Sequence, residues 1–346
     1  MDLPQVGNPP TSNRPIRLLV RLRQPWSDHR AELTLGAVSL LAGLAIAGMV
    51  VFVAVHAWPT FQHNGLSWLG SGGNLDSQLQ RMTETSVHPP ASAYHVRAWP
   101  VIYGTVLTTT FALVIALPLA LLSSIFIVEF APVWLRGAMI PVVRLLASVP
   151  SVIYGLIGIL VLVPFVGNHL ITIPEKTSVQ NTVELTGGSL LVVSVILAVM
   201  ITPIMVALIS AALAGVPASW REGAMALGVH RLRATLAVSL KAIRPAIVAA
   251  TALACARALG EVIVVSMVAG DVSFAPSFAH GPLIFLFEPL RTLGSAIVDN
   301  REAFFGGAPA LSATLYAFAL LLLLSAIALS LGAYLIKLPL RKYQLR

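Results

Sequence analysis

Two charged side chains interrupt an otherwise apolar run. In ACARALGEVIVV, residues 254–265, Arg257 precedes Glu261 by four positions, and no other Asp, Glu, Lys or Arg lies between Arg244 and Asp271. On a helix this spacing puts both on one face, about 6 Å apart along the axis. A guanidinium presents a planar fork of donors that suits a phosphate-like oxyanion. A carboxylate beside it orients the fork when no anion is bound and keeps an anion from binding too tightly to leave. The pair also neutralises itself, so a purely structural role stands beside this one, although two leucines would avoid desolvating either charge. In RLLASVPSVIYGLIG, residues 144–158, Ser148, Ser151 and Tyr154 offer hydroxyl donors, and Pro150, Gly155 and Gly158 permit a local break and close helix packing. Small residues in membrane helices serve packing as readily as ligand contact.

The elements that must hold these groups are set by composition. The chain has 346 residues, 57% hydrophobic and 10% charged, with a mean hydropathy of +0.86, far more apolar than a water-soluble domain. Stretches 98–128, 145–174, 185–220 and 303–336 contain no Asp, Glu, Lys or Arg. A bilayer core needs roughly 20 helical residues to cross, and long continuous runs indicate helices, not the short alternating strands of a barrel. The expectation is an all-α integral membrane protein with six transmembrane helices near 36–58, 101–128, 138–166, 188–214, 245–270 and 309–336. The last five of these form a core over 101–336. The first apolar run, Gly36 to Trp58, is longer than a signal-peptide core and reads as a retained helix.

Basic residues divide unevenly between the two sides of this arrangement. With the N-terminal tail, 1–35, and the C-terminal tail, 337–346, both cytoplasmic, 16 of the 22 Lys and Arg fall inside. Five (Arg81, Arg97, Lys176, Arg291 and Arg301) fall outside and Arg257 stays within a span; Arg136 and Arg144 are counted with an inner loop, Arg144 although it falls inside the bounds of the third span. This asymmetry follows the positive-inside rule, so the net charge of +8 describes topology and not nucleic-acid binding. The outer loop, 59–100, carries His56, Trp58, His63, Trp68, His88 and His95 in or beside it without zinc-ligand spacing, and reads as a wet loop with interfacial anchors. The single cysteine, Cys255, has no partner for an intrachain disulfide.

The inner loop 216–244 contains WREGAMALGVHRLRATLAVSLKAIRP, residues 220–245, which reads as an amphipathic helix pair turning at Gly228. Glu222-Gly223-Ala224, followed after three residues by Gly228, resembles the Glu-Ala-Ala loop of ABC-importer permeases. That resemblance implies a type I ABC importer permease fold in which Glu222, Gly223, Ala224 and Gly228 belong to a coupling helix docked on a cytoplasmic ATPase. Where the family places proline after Ile-x-Leu, this chain has Lys241, with Pro245 four residues on. No lysine follows a glycine, so no GxxxxGK phosphate loop is present, and ATP with its Mg²⁺ would bind to a partner.

Residues 99–132, 144–158 and 257–271 resemble the permease subunits of bacterial phosphate importers, the last segment favouring the PstC type over the PstA type. The resemblance implies a non-enzymatic transport subunit of the bacterial plasma membrane that binds no cofactor itself. It also implies a homologous second permease of the PstA type, a cytoplasmic ATPase dimer, and a periplasmic or lipid-anchored phosphate-binding protein, all beside membrane lipid. Other oxyanions, such as sulfate or molybdate, suit an arginine equally. A proton-coupled secondary transporter with Glu261 as relay is a further alternative, one that leaves the loop motif unexplained.

Overall fold

The computed structural model describes residues 25–341 except 73, 84–89, 180–183, 271 and 273, and the side chains of these except 25–30, 280 and 336–341. Most of the N-terminal tail, residues 342–346 of the C-terminal tail, and His88 lie outside the described residues. The chain divides into two units, Met1–Phe52 and Val53–Arg346. In the first, the helix that runs over Pro25–Asn64 (α1) exposes Leu33, Leu35, Leu40, Leu41 and Leu44. A helix apolar on all sides belongs among lipid tails or other apolar helices.

The second unit is built on two long helices, Trp99–Ile125 (α3) and Leu190–Ala214 (α7). On α7, Val193, Leu197, Ile201, Met205, Ile209 and Leu213 recur every four residues and are fully buried. On α3, Ala112, Ala116 and Ala120 repeat at the same interval and are also fully buried in the same cluster. Methyl-sized side chains let the two backbones approach, and dispersion contacts then hold the pair where the bilayer supplies no hydrophobic driving force. The Ser124 hydroxyl donates to the Val206 carbonyl across this contact at 3.4 Å.

Among the described residues five helices are long and apolar enough to cross a membrane, and a sixth span appears when a bent pair is counted as one. That pair is Arg231–Ala242 with Arg244–Leu259, bent by 70°. Pro245, in the first turn of Arg244–Leu259 (α10), has no N–H to give the preceding turn and its ring excludes a straight continuation, so the chain redirects there. The loop 59–100 is not simply wet. It contains Leu75–Thr83 (α2), and Trp68, Leu75, Leu79 and Met82 are buried in one cluster with Leu311, Leu315 and Phe318 of Pro309–Arg341 (α14).

Two expected spans differ in detail. The helix expected over 138–166 is two helices, Val133–Ser148 (α4) and Ser151–Ile157 (α5), the latter prolonged by π-helical turns to Leu170. Pro150 lacks the N–H needed to continue the ladder and biases Val149 to its extended ψ of 129°. Arg144 therefore lies within α4, one turn before its end, and not in a loop. The span expected over 245–270 ends at Leu259, and the chain resumes helix only at Ile263–Val268 (α11).

Opposite ends of the bundle are tied by different ion pairs. At one end Arg221 pairs with Glu129, and at the other Arg291 pairs with Asp76 and, at 3.5 Å, Asp299. The loops that charge counting assigns to one side are thus tied to each other in both cases.

Candidate functional site

The interruption at Gly260–Val262 places Arg257 in the last turn of α10 and Glu261 just beyond it. The two are therefore not on one continuous helix, as the sequence suggests, yet they remain partners, with Arg257 Nη2 3.9 Å from Glu261 Oε1. The Arg257 side chain is 37% exposed and that of Glu261 13%, so the guanidinium opens toward a surface while the carboxylate is largely enclosed. Among the described residues Arg257 Nε is buried with no hydrogen-bond partner. At 3.9 Å the pair is too long for a hydrogen bond, and the fork retains donors for an incoming oxyanion.

The break after Ser148 brings a second element to this point. Ser151 at the start of α5 lies close to the Glu261 carboxylate, and Tyr154 lies within reach of the Arg257 charge. The Tyr154 hydroxyl donates to the Leu146 carbonyl at 3.0 Å, capping the end of α4. Glycines make the approach possible: a Cβ at Gly155 would lie 2.7 Å from Met267 Sδ and one at Gly158 2.6 Å from Val268 Cγ1, both on α11. Two broken spans thus meet at their interruptions, as expected where irregular backbone lines a cavity or is buried in protein.

Ser148 does not join them; it is exposed and donates to its own helix at Leu145 O, 2.8 Å away. Thr108 likewise bonds back to Gly104 O. The structure brings together Arg257, Glu261, Ser151 and Tyr154. Pro150 signals the first interruption in the sequence, whereas Gly260 lies inside an apolar run that reads as unbroken.

The inner loop forms the helix Ala218–Ala226 (α8), a turn, and a second helix from Arg231. Gly228 has φ +83°, the left-handed region, and nothing lies within 4 Å of a Cβ built there, so backbone conformation alone demands glycine. Glu222 and Gly223 are exposed on α8, and Ala224 is half-buried. Trp220 and Leu227 are 56% and 86% exposed, an apolar surface at the polar end of the bundle. Sequence reasoning missed what anchors it: Arg221 pairs with buried Glu129, and the Arg231 guanidinium lies 5.4 Å from the Phe130 ring centre. The available signal was Glu129 itself, a lone acid closing the uncharged run 98–128.

An all-helical, multi-span chain with charged groups at meeting helix breaks and an exposed, anchored helix pair at one end is a membrane permease component. The residues 116–337 match the family described as the binding-protein-dependent transport system inner membrane component. The chain belongs to this family.

Its relatives include the probable ABC transporter permease protein YqgH of Bacillus subtilis (strain 168), 32% identical over 74% of this chain and 76% of that protein. The phosphate transport system permease protein PstC 1 of Mycobacterium tuberculosis is 33% identical over 78% and 80%. The probable phosphate transport system permease protein PstC of Methanocaldococcus jannaschii is 34% identical over 65% and 70%. Among solved structures, a chain of a bacterial alginate ABC transporter, crystallised with an alginate-bound periplasmic protein, matches with a TM-score of 0.54 at 14% identity. The match covers 92% of this chain and 98% of that one. It shows the ABC permease fold.

Proposed function

We propose that the chain is the PstC-type permease subunit of an ATP-driven importer of inorganic phosphate, with both termini in the cytoplasm. It pairs with a homologous PstA-type subunit, receives phosphate from a periplasmic or lipid-anchored binding protein, and is driven by a cytoplasmic ATPase dimer that holds ATP and Mg²⁺. The observation that carries this reading is the Arg257 guanidinium, half-open at a helix break with an unpartnered Nε and a carboxylate 3.9 Å away. Relatives whose names specify phosphate, along most of their length, support the choice of anion.

A monoanion or dianion entering the break meets fixed positive charge without having to displace a tight ion pair. Glu261 balances that charge when the site is empty, which limits the cost of an arginine inside the membrane, at least about 2.5 to 3.5 kcal/mol on insertion scales. The Ser151 hydroxyl, close to Glu261, is placed to donate a hydrogen bond to the anion. Closure of the ATPases on ATP would draw the α8 helices of the paired subunits together, and the Arg221–Glu129 link carries that motion to the end of α3.

The test is uptake of radiolabelled phosphate by cells lacking the chromosomal copy and complemented with this chain. Uptake should require the ATPase and be unaffected by excess sulfate or molybdate. Competition by sulfate would reassign the substrate, and uptake driven by a proton gradient without the ATPase would replace the importer by a secondary transporter.

A further inference from the structure

A second cationic cleft lies apart from the Arg257 break. It has a volume of about 210 Å³ and is walled by α4, the last turns of α7, and the π-helical turn Phe126–Phe130; neither Arg257 nor Glu261 lines it. Ile140, Val143 and Val206 supply apolar walls, and Arg136, Arg144 and Ser210 supply the polar groups. Residues 136, 140, 143 and 144 share one face of α4, and 206 and 210 share one face of α7, so the cleft runs between two facing helix surfaces.

Arg136 is committed: its Nε donates to Ile127 O at 2.9 Å and its Nη2 to Val128 O, the carbonyls left open where α3 ends. Arg144 is exposed, and among the described residues nothing hydrogen-bonds or pairs with it. Ser210 Oγ is buried without a hydrogen-bond partner among the described residues. A helical serine ordinarily donates to the carbonyl four residues back, but that carbonyl, Val206 O, receives Ser124 from the other side. An uncompensated guanidinium and an unsatisfied hydroxyl facing one cavity beside apolar walls leave the charge and the hydroxyl each short of a partner. One anion with several acceptor oxygens completes both.

We infer that this cleft is a phosphate-group site, distinct from the Arg257 break, in which Arg144 binds the anion and Ser210 donates a hydrogen bond to it. The group can arrive as inorganic phosphate or as the headgroup of an anionic phospholipid, whose acyl chain would follow Ile140 and Val143.

Full-length protein purified in detergent separates these cases. Native mass spectrometry measures retention of phosphatidylglycerol against phosphatidylcholine, and thermal unfolding measures the shift given by inorganic phosphate against chloride at equal ionic strength. Arg144→Gln should weaken whichever probe binds by about tenfold, as expected for loss of a charge-assisted contact, with Arg144→Lys restoring part of it. Ser210→Ala should weaken the same probe severalfold. If Ser210 serves no ligand, that substitution instead removes an unsatisfied buried hydroxyl, raising thermal stability and leaving binding unchanged. The dependence of each measurement on Arg144 reports this cleft, since phosphate held at the Arg257 break would persist in Arg144→Gln, so failure here is separate from failure of the proposed transport role. Response to phosphate alone assigns the free ion, and selective retention of phosphatidylglycerol assigns the lipid. Equal behaviour of wild type and Arg144→Gln toward both probes overturns the inference.

Discussion

The guanidinium of Arg221, on the inner helix α8, is paired with the carboxylate of Glu129 across 92 residues of sequence, and the two ends of the pair differ in exposure: 22% for the Arg221 side chain and 2% for Glu129. That asymmetry sets the order of damage. Arg221→Gln leaves a buried carboxylate without its counter-charge, whereas Glu129→Gln leaves an arginine that can turn toward water. Arg221→Gln should destabilise by roughly 2 to 4 kcal/mol and Glu129→Gln by less, with the double substitution recovering most of the loss. Thermal unfolding of the three variants in detergent checks the ordering. Equal damage from both single substitutions would mean that the pair is not held as described.

The turn at Gly228 gives a second prediction. With φ at +83° and open space where a Cβ would project, Gly228→Val should cost about 1 to 2 kcal/mol of local backbone strain and displace α8 from its seat, while Gly228→Asn should be milder. Gly223, in the same motif but exposed within α8, should accept alanine with no loss. Phosphate uptake and co-purification of the ATPase report both. Wild-type values for Gly228→Val would make the loop a passive connector.

These positions mark what was legible in the sequence. The helices α1, α3, α7 and α14 announce themselves because twenty or more apolar residues in a row have one stable form in a bilayer. Gly228 was legible because a left-handed turn selects one residue type, and Arg257 with Glu261 because charge is conspicuous in an apolar run. The break at Gly260–Val262 was not, since glycine is common inside membrane helices and only the packing of α11 on α5 decides that the helix stops there. The partners of Glu129 and Arg291 were equally hidden: Arg291 meets Asp76 across 215 residues, and no local pattern encodes such a meeting. The fold of loop 59–100 escaped for a similar reason, because Trp68 and Leu79 complete their apolar surroundings on α14, distant in the chain.

Topology supplies a third prediction. Single cysteines at Thr83 and Phe305, both exposed, should react with an impermeant thiol reagent in intact cells in a Cys255→Ala background, because the basic asymmetry places both outside. A cysteine at Leu227, 86% exposed on the inner turn, should react only after the membrane is opened. Labelling of Leu227→Cys in intact cells would invert the orientation.

The last prediction sets the two roles of Arg257 against each other. If Arg257 and Glu261 serve only to neutralise one another, replacing both with neutral residues of similar size, Arg257→Met with Glu261→Gln, should be tolerated, since no unpaired charge remains. If the guanidinium receives the anion, the same double variant should assemble with its partners in normal amount and lose phosphate uptake by about tenfold or more, the effect of removing a charge-assisted contact from the path. Arg257→Met alone does not decide, because it strands a carboxylate whose side chain is only 13% exposed and so combines a folding defect with a transport defect. Ser151→Ala gives an independent reading of the same site. It leaves both charges in place and removes only the hydroxyl beside Glu261, so a purely structural pair predicts little change and an anion path predicts a severalfold rise in the phosphate concentration needed for half-maximal uptake. Uptake is measured with radiolabelled phosphate and normalised to intact complex recovered from the membrane. Near-wild-type transport by the double variant would leave Arg257 and Glu261 as a structural pair and move the search for the anion path to other residues at the junction of α5 and α11.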